Sequence, residues 1–556
     1  MPKHVALITL YNPGAIGPRY VAAQILAAGH DVKFVHLKEL LAVAIPTTEY
    51  AKHEELKTRH QDVSYVAFQH PGEILYVPYP TPITNREMDL LCEEIRAFEP
   101  DLIGLSMYSV TARVARRVTR IVHERLAGTP VLWGGIHCII DPEDCLTGLE
   151  SDPGQVPDIL CVTEGEGPIP ALLDRWEEYA GGGSPEIPGI WFVRDGEVKR
   201  FEREPFETDL DKYAFPVYNI RESLIEGDGV DRKFEDPRGA ILPHIFAITE
   251  RGCPFHCSYC VHSVLNRMDK EHGRVRRRSV DNVLEEAERR VEENGLSFLP
   301  IFDEIFGFQK KWVFEFAAKW RERFKPHGIS FGGYLHPLAS SLEMVQTLFE
   351  AGMSRTGMGV QTGSPRVNED VYERRFVREK IVELSEHIAA FPFEDVQIDL
   401  LADSPYETED DRRLTLELLL DLAPPFRVET CGLVTYSRSE LANKPRLMDE
   451  VPWDERLFWN MLFHLTGSRD ISKKQIIEWS RAPHLRENPL ELEKIAVRLR
   501  GEYFINNPGF IRPYQRLREN VPVHPIVHST EFRRDQVRAA SLGDRARRVI
   551  RKLTRG

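Results

Sequence analysis

Three of the eight cysteines stand within a span of eight residues. The segment Arg251-Gly252-Cys253-Pro254-Phe255-His256-Cys257-Ser258-Tyr259-Cys260 spaces its thiols as C-x-x-x-C-x-x-C. From the cysteine count alone, chance places this pattern about 0.002 times in a chain of this length. Three thiolates on one tight loop suit a soft metal centre. A closed zinc site needs a fourth Cys or His, and His256 and His262 are near in sequence. A cubic iron–sulfur cluster has four irons, so three cysteines would leave one iron open to a substrate or cofactor. The other five cysteines, at 92, 138, 145, 161 and 431, are scattered. Cys138 and Cys145 flank a turn with no Cys or His partner pattern for a metal. Cys431 falls on an expected strand, where it either faces a cavity as a radical or proton relay or packs as a small hydrophobe.

The elements that must position the triplet follow a βα rhythm. The chain has 556 residues, 42% hydrophobic and 28% charged, a globular balance for two to four domains. Eight cysteines are too few for a disulfide scaffold. A net charge of −14 argues against a generic nucleic-acid binder. No apolar run approaches transmembrane length, and the N-terminal apolar run reads as a buried strand, not a signal peptide. A reducing cytoplasm is the expected compartment.

Over 1–180, strand-like runs at 4–10, 31–37, 101–106, 130–133 and 158–162 alternate with helical runs at 17–29, 85–98 and 111–126. This predicts an open, doubly wound parallel sheet, whose ligands bind beyond the carboxyl ends of its strands. Residues 50–84 read as an inserted loop. Residues 181–243 read as a hairpin turning on Asp195-Gly196 and a linker rich in Pro, Gly and charge. From 244 a second series places strands at 245–250, 297–302, 329–335, 356–360, 396–402 and 428–435, with helices at 280–294, 310–324, 340–351, 368–390 and 408–421. Six such units are too few for a closed barrel, so a partial barrel spans 244–435. Arg276-Arg277-Arg278 reads as a solvated helix entrance. Residues 436–556 read as a mostly helical C-terminal domain with a substrate or cap role. Its aromatic residues Trp453, Trp459, Trp479, Tyr503 and Tyr514 are expected in the core, and its last 26 residues carry a local charge of +6. The fold class is therefore α/β: a Rossmann-like N-terminal domain, a partial (β/α)6 barrel, and helices.

The triplet directly after the first strand of a six-strand βα series resembles the radical S-adenosylmethionine (SAM) superfamily. The resemblance implies a 4Fe-4S cluster on Cys253, Cys257 and Cys260, with SAM chelating the open iron. Tyr259 takes the aromatic position before the third cysteine. Phe302-Asp303-Glu304 resembles the acidic strand end that binds the SAM ammonium group. Gln361-Thr362-Gly363-Ser364 resembles a SAM-contacting turn. Asp399, followed by Ser404-Pro405-Tyr406-Glu407-Thr408, resembles the fifth-strand region. Tyr436-Ser437-Arg438 resembles the segment after strand six, with Ser-Arg where Pro-Gly is usual. On this resemblance Tyr259, Asp303, Glu304, Gln361, Ser364 and Asp399 are the SAM candidates, and Cys431 and Tyr436 are cavity candidates.

The first 180 residues resemble the cobalamin-binding domain fused to one large class of this superfamily. The pieces are Pro13-Gly14, Gly104-Leu105-Ser106-Met107, Gly134-Gly135-Ile136-His137 and Thr163-Glu164-Gly165-Glu166-Gly167. The G-x-G-x-x-G signature of a nicotinamide fold is absent, and so is Asp-x-His-x-x-Gly, which supplies a cobalt-ligating histidine in many cobalamin domains. The implied cobalamin contacts are Pro13, Gly14, Ser106, Met107, Gly134, Gly135, His137, Glu164 and Gly165. His137 could also be a core histidine, and Ser106 a helix cap.

The resemblance implies a cobalamin-dependent radical SAM C-methyltransferase acting on a small-molecule or natural-product precursor. A reductant such as flavodoxin or ferredoxin would serve it as partner, with no nucleic acid and no transmembrane segment. The alternatives are non-methylating chemistry on the same cofactors (cyclisation, ring contraction or rearrangement) and a non-catalytic cobalamin binder.

Overall fold

The computed structural model describes residues 1–39, 45–46, 65–70, 73–78, 83–232, 245–269, 274–449 and 451–506. The basic C-terminal stretch and Tyr514 lie outside these residues.

Strand β1 (His4–Leu10) is buried along almost its whole length, as a central parallel strand must be. It pairs in parallel with β2 (Asp31–Leu37) on one side and β3 (Leu102–Ser106) on the other. Beyond β3 lie β4 (Val131–Gly134) and β5 (Ile159–Cys161), also parallel. Strand β6 (Ile190–Arg194) joins β5 antiparallel and forms a hairpin with β7 (Glu197–Arg200). Its turn residues Asp195 and Gly196 have φ of 52° and 79°, the positive values a two-residue hairpin needs.

Strand β8 (Glu222–Glu226) lies parallel to β2, and β9 (Gly229–Asp231) closes that edge. The order is β7-β6-β5-β4-β3-β1-β2-β8-β9. One core forms on each face. Helix α1 (Ile16–Ala27) contributes to one, and α2 (Asn85–Arg96) and α3 (Ala112–Arg125) contribute to the other. Because the chain leaves β1 for β2 on one side and returns as β3 on the other, the carboxyl ends of β1 and β3 form a topological switch point.

Strand β8 corrects the linker reading of 205–243. Glu222 is not a solvated linker charge. It is fully buried, and its carboxylate takes Arg19 Nη1 and Nη2 (3.1 and 2.8 Å) and His36 Nε2 (2.9 Å). A paired interior charge looks like a surface charge in composition.

The second sheet begins with five parallel strands: β10 (Phe298–Pro300), β11 (Ser330–Tyr334), β12 (Met353–Gln361), β13 (Asp395–Ala402) and β14 (Arg427–Gly432). The strand expected at 245–250 shrinks to one bridge between Ala247 and Ile301. The cause is local: Asp303 Oδ1 accepts the N–H groups of Thr249 (2.6 Å) and Glu250 (3.2 Å), so these donors are lost to a ladder. Glu250 and Arg251 pair instead with Arg276 and Arg277. Beyond β14 the sheet continues antiparallel through the hairpin of Tyr65–His70 and Glu73–Pro78. The described part of the expected loop at 50–84 is thus strand that extends the barrel sheet.

The helix expected at 368–390 is split into one π-helical turn, Val367–Val371, and a helix at Arg378–Ala389. Helices Trp453–Leu465, Lys473–Ser480 and Leu490–Asn506 follow the barrel. Phe458, Trp459, Met461, Leu462 and Trp479 are buried in the barrel's own core, so these helices share a hydrophobic interior with it.

Candidate cofactor-binding cavity

A cavity of about 310 Å³ opens at the switch point and runs to the cysteine loop. Its walls come from both halves of the chain. From the first sheet come Leu7, Gly104, Ser106, Gly134, Gly135 and Gly165, and from the second half Arg251, Gly252, His262, Phe302 and Glu304.

The first wall is shaped by missing side chains. Gly135 has φ of 97°, and a Cβ there would stand 2.7 Å from the carbonyl oxygen of Met107 and 2.8 Å from its nitrogen. Only glycine fits that backbone comfortably. A Cβ on Gly104 would meet Leu7 at 2.6 Å. Of the residues expected to contact cobalamin, Ser106, Gly134, Gly135, Glu164 and Gly165 line the cavity, and Pro13, Gly14, Met107 and His137 do not. Pro13 gives its carbonyl to Arg19 (2.7 Å), and Met107 is core. His137 is buried between Ser109 Oγ and Asp144 Oδ2, both at 2.9 Å. Burial pulls its imidazole down, but Asp144 and Cys145 together outweigh that and leave it at about 9, while Asp144 is held down at about 2.

The floor joining the halves is ionic. Arg276 clamps Glu164 with two bonds (2.8 and 2.7 Å), and Arg251 donates to Glu166 (2.6 Å). Burial alone would raise the Glu164 carboxyl, yet Arg276 and Arg251 hold it below its ordinary value. The solvated-entrance reading of Arg276 and Arg278 is therefore corrected. Both are buried, because each is consumed by an interior carboxylate, Glu164 and Glu286. Beside this floor, Ile139, Ile140 and Phe206 pack against Val264 and Leu265, with Tyr436 at the edge.

At the cysteine loop, helix α4 (Val261–Met268) starts directly after Cys260. Asn266 Nδ2 donates to the carbonyls of Cys253 (2.9 Å) and Phe255 (3.1 Å), which fixes the loop's curvature. The three thiols influence one another and are partly accessible. Burial pushes Cys253 up to about 12 and raises Cys257 and Cys260 as well, so the thiolate forms call for a cationic partner. Among the described residues no three His, Cys, Asp or Glu side chains converge as ligands of a single ion.

Asp303 and Glu304 are neighbours with different tasks. Asp303 is buried and holds Thr249 and Glu250, whereas Glu304 lines the cavity and meets His262 Nε2 at 2.9 Å. Tyr259 stacks edge-on against Tyr372, with ring centres 4.9 Å apart. Ser364 is buried and donates to Asp411 (2.5 Å). Gln361 has φ of 68° and ends β12. Asp399 sits deeper in the barrel, where Tyr334 (3.3 Å) and Gln397 (2.7 Å) bond one oxygen, and burial pushes its carboxyl up to about 7. Cys431 is half-buried on β14, its thiol raised by burial and by Glu429. Burial also pushes Tyr436 up to about 12. Sequence reasoning passed over Arg251 and the pairing of His262 with Glu304. An arginine two residues before the first cysteine, in an acidic chain with a Glu-x-Glu turn, was the available signal.

Residues 248–419 match the Radical SAM superfamily model, and residues 77–173 match the B12 binding domain model. The chain thus carries a radical SAM domain and a B12-binding domain. An uncharacterized methyltransferase of Pyrococcus horikoshii is 26% identical over 284 residues, covering 50% of this chain and 54% of that protein. The anaerobic magnesium-protoporphyrin IX monomethyl ester cyclase of Cereibacter sphaeroides is 22% identical over 289 residues, covering 51% and 43%. The chain thus spans about half the length of these curated relatives. Among solved structures, the radical S-adenosylmethionine methyltransferase TsrM from Kitasatospora setae, with cobalamin and a [4Fe-4S] cluster bound, superposes with a TM-score of 0.52. It is 15% identical, with 79% of this chain and 74% of that chain covered, and shows the shared fold.

The radical SAM and B12-binding assignments bring a 4Fe-4S cluster, SAM and cobalamin as cofactors, and the residues fit them. Three mutually close thiols on one loop offer an incomplete ligand set, and Gly104, Gly134 and Gly135 leave one wall of the cavity without side chains. No helix among the described residues is long and apolar enough to cross a membrane.

Proposed function

We propose that this protein is a cobalamin-dependent radical SAM methyltransferase acting at an unactivated carbon of a small-molecule precursor. The observation that carries this reading is the common cavity, walled on one side by Gly134 and Gly135 and on the other by Arg251, Gly252, His262 and Glu304. Cys253, Cys257 and Cys260 would hold the cluster, Glu304 the SAM ammonium group, and Ser106, Gly134, Gly135 and Gly165 the corrin. When bound, these cofactors supply a carbon-centred radical and a methyl carrier.

The chain's own residues position and shield. His262 fixes the Glu304 carboxylate at 2.9 Å, so its charge meets a cationic ligand in a set orientation. Asp303 ties down the two residues before Arg251 and so fixes where the cluster loop starts. Glu164 and Glu166 bind that start to the glycine-walled domain. Phe206, Leu265 and Tyr436 close the junction with apolar surface, which excludes water that would quench a radical. His137 is spent on Ser109 and Asp144 and would not be available as a ligand of cobalt. A one-electron donor such as flavodoxin or ferredoxin and a reducing cytoplasm complete the requirements.

The test is product mass with candidate substrates under anaerobic, reducing conditions. A gain of one CH₂ with release of S-adenosylhomocysteine and 5′-deoxyadenosine is expected. The similarity to a cyclase favours one second reading, oxidative cyclisation on the same cofactors. Loss of hydrogens without methyl gain would establish it and overturn the first.

A further inference from the structure

Among the contacts that join the two halves of the chain around the cavity, two ionic ones differ in burial. The first is the floor, where Arg276 grips Glu164 and Arg251 grips Glu166. The Arg276 side chain is 2% exposed, so parting it from Glu164 would strand a buried charge. The second is made by residues 437–438, which leave the barrel after β14. Ser437 Oγ donates to Asp141 Oδ2, and Arg438 Nε donates to Asp141 Oδ1 (3.0 Å). Both oxygens of one carboxylate in the first domain are thus taken by two adjacent residues of the other half.

The backbone of this strap is held by the barrel half. Leu441 is buried, its N–H donates to the Ser258 carbonyl of the cysteine loop (3.2 Å), and its carbonyl accepts from Tyr406 OH (3.1 Å). Arg267 of α4 donates to the Arg438 carbonyl (2.9 Å) and to Glu440 (2.6 Å). Ser439 N–H and Oγ close the turn on the Tyr436 carbonyl (3.0 and 2.7 Å). From this fixed turn the two side chains reach the wall of the cavity. Asp141 directly follows helix Ile136–Ile140, and its N–H donates to the His137 carbonyl (2.9 Å). Ile136 and Ile139 of that helix line the cavity beside Gly135. Asp141 is buried, whereas the Arg438 side chain is 53% exposed. Its guanidinium is already hydrated when the pair parts, and half-solvated pairs of this kind hold weakly. The floor offers no such release.

We propose that Ser437 and Arg438 form a latch on the cobalamin cavity. On release from Asp141, helix Ile136–Ile140 moves off the barrel half and lets the corrin in or out, while the Glu164 and Glu166 pairs stay closed as the hinge. A latch holds the wall shut whether or not the corrin is inside, so loosening it speeds entry and exit together and leaves the affinity alone. A side chain that touched the corrin would act differently, since its loss speeds exit without speeding entry. The inference rests on the reading that the corrin lies against the Gly134 and Gly135 wall.

The experiment measures hydroxocobalamin exchange on the full-length, cluster-loaded protein under anaerobic conditions. Uptake is read as corrin absorbance retained after rapid gel filtration, and release by chasing radiolabelled hydroxocobalamin with an excess of the unlabelled form. A wild-type protein that takes up none removes the underlying reading, and the latch with it. The double variant Ser437→Ala, Arg438→Gln is expected to take up and release hydroxocobalamin about fivefold faster, with Kd within about twofold of wild type. Added salt screens the exposed pair, so it should speed exchange in the wild type and leave the variant nearly unchanged. Variant rates within about 1.5-fold of wild type, on a wild type that binds the corrin, overturn the latch alone. Faster release with unchanged uptake also overturns it, because the two side chains would then act on the bound corrin. If the double variant does not fold, Arg438→Gln decides by the same two rates, with an expected rise of about threefold in both.

Discussion

The two ends of the cavity are built by opposite means. The end at the first sheet is made by leaving side chains out: a Cβ on Gly104 or Gly135 would strike Leu7 or the Met107 backbone, and Gly134 adds bare backbone to the same wall. The cysteine end is crowded with bonded side chains, from Asn266 under the loop to Asp303 before it and Ser258 against the Val371 carbonyl. A large ligand with many neutral contacts needs shaped volume. A small charged centre needs fixed ligands and fixed charge. If this contrast is right, damage at one end should leave the other end working.

The largest effect is expected from Cys257→Ala. Cluster assembly and SAM cleavage should be abolished while cobalamin uptake persists. Reductive SAM cleavage retained in that variant, measured as 5′-deoxyadenosine, would refute the ligand assignment. Gly135→Arg is the mirror experiment. The positive φ and the 2.7 Å approach to Met107 leave no room, so corrin absorbance should vanish while iron content stays normal. Normal corrin absorbance would break the glycine half of the comparison.

The third prediction probes the floor that joins the ends. Glu166→Gln leaves Arg251 with Glu164 as its remaining acid, at 3.3 Å. The cost should be ~2 kcal/mol of stability, because a buried cation loses a charged partner. Urea denaturation measures it, and a change under about 0.3 kcal/mol would show that the latch carries no weight.

The smallest effect is a pH dependence confined to the first domain. His137 is raised to about 9 in the fold, so its contribution is fully present below its unfolded value near 6.5 and is lost as pH rises through 9. Asp144, lowered to about 2, contributes above its unfolded value near 3.8 and loses that contribution as pH falls toward 2. Thermal unfolding should therefore show a stability fall between pH 6.5 and 9 that His137→Gln removes. An identical slope in the variant would contradict the assignment.

The sequence shows the two ends unequally. Cysteine spacing is a local pattern on one loop, so the proposed ligand set is legible without any tertiary information. The βα rhythm is legible for the same reason, because each strand's burial is written in its own apolar run. What stays hidden depends on partners distant in sequence. Glu222 reads as a linker charge until Arg19 and His36 are brought to it. Asp303 and Glu304 are interchangeable in sequence, yet one turns back to Thr249 and the other into the cavity. Met107 and His137 continue motifs whose glycine and serine residues do line the wall, but chain direction turns both side chains into packed interior.

The central claim is that one cavity serves two cofactors, each held by its own half of the chain. Metal and sulfide analysis of anaerobically purified, reconstituted protein tests it most directly. The account predicts about four irons with matching sulfide and one cobalt per chain, together in the same molecule. Zinc in place of iron and sulfide, or an iron–sulfur cluster in protein that never takes up cobalt, would contradict it.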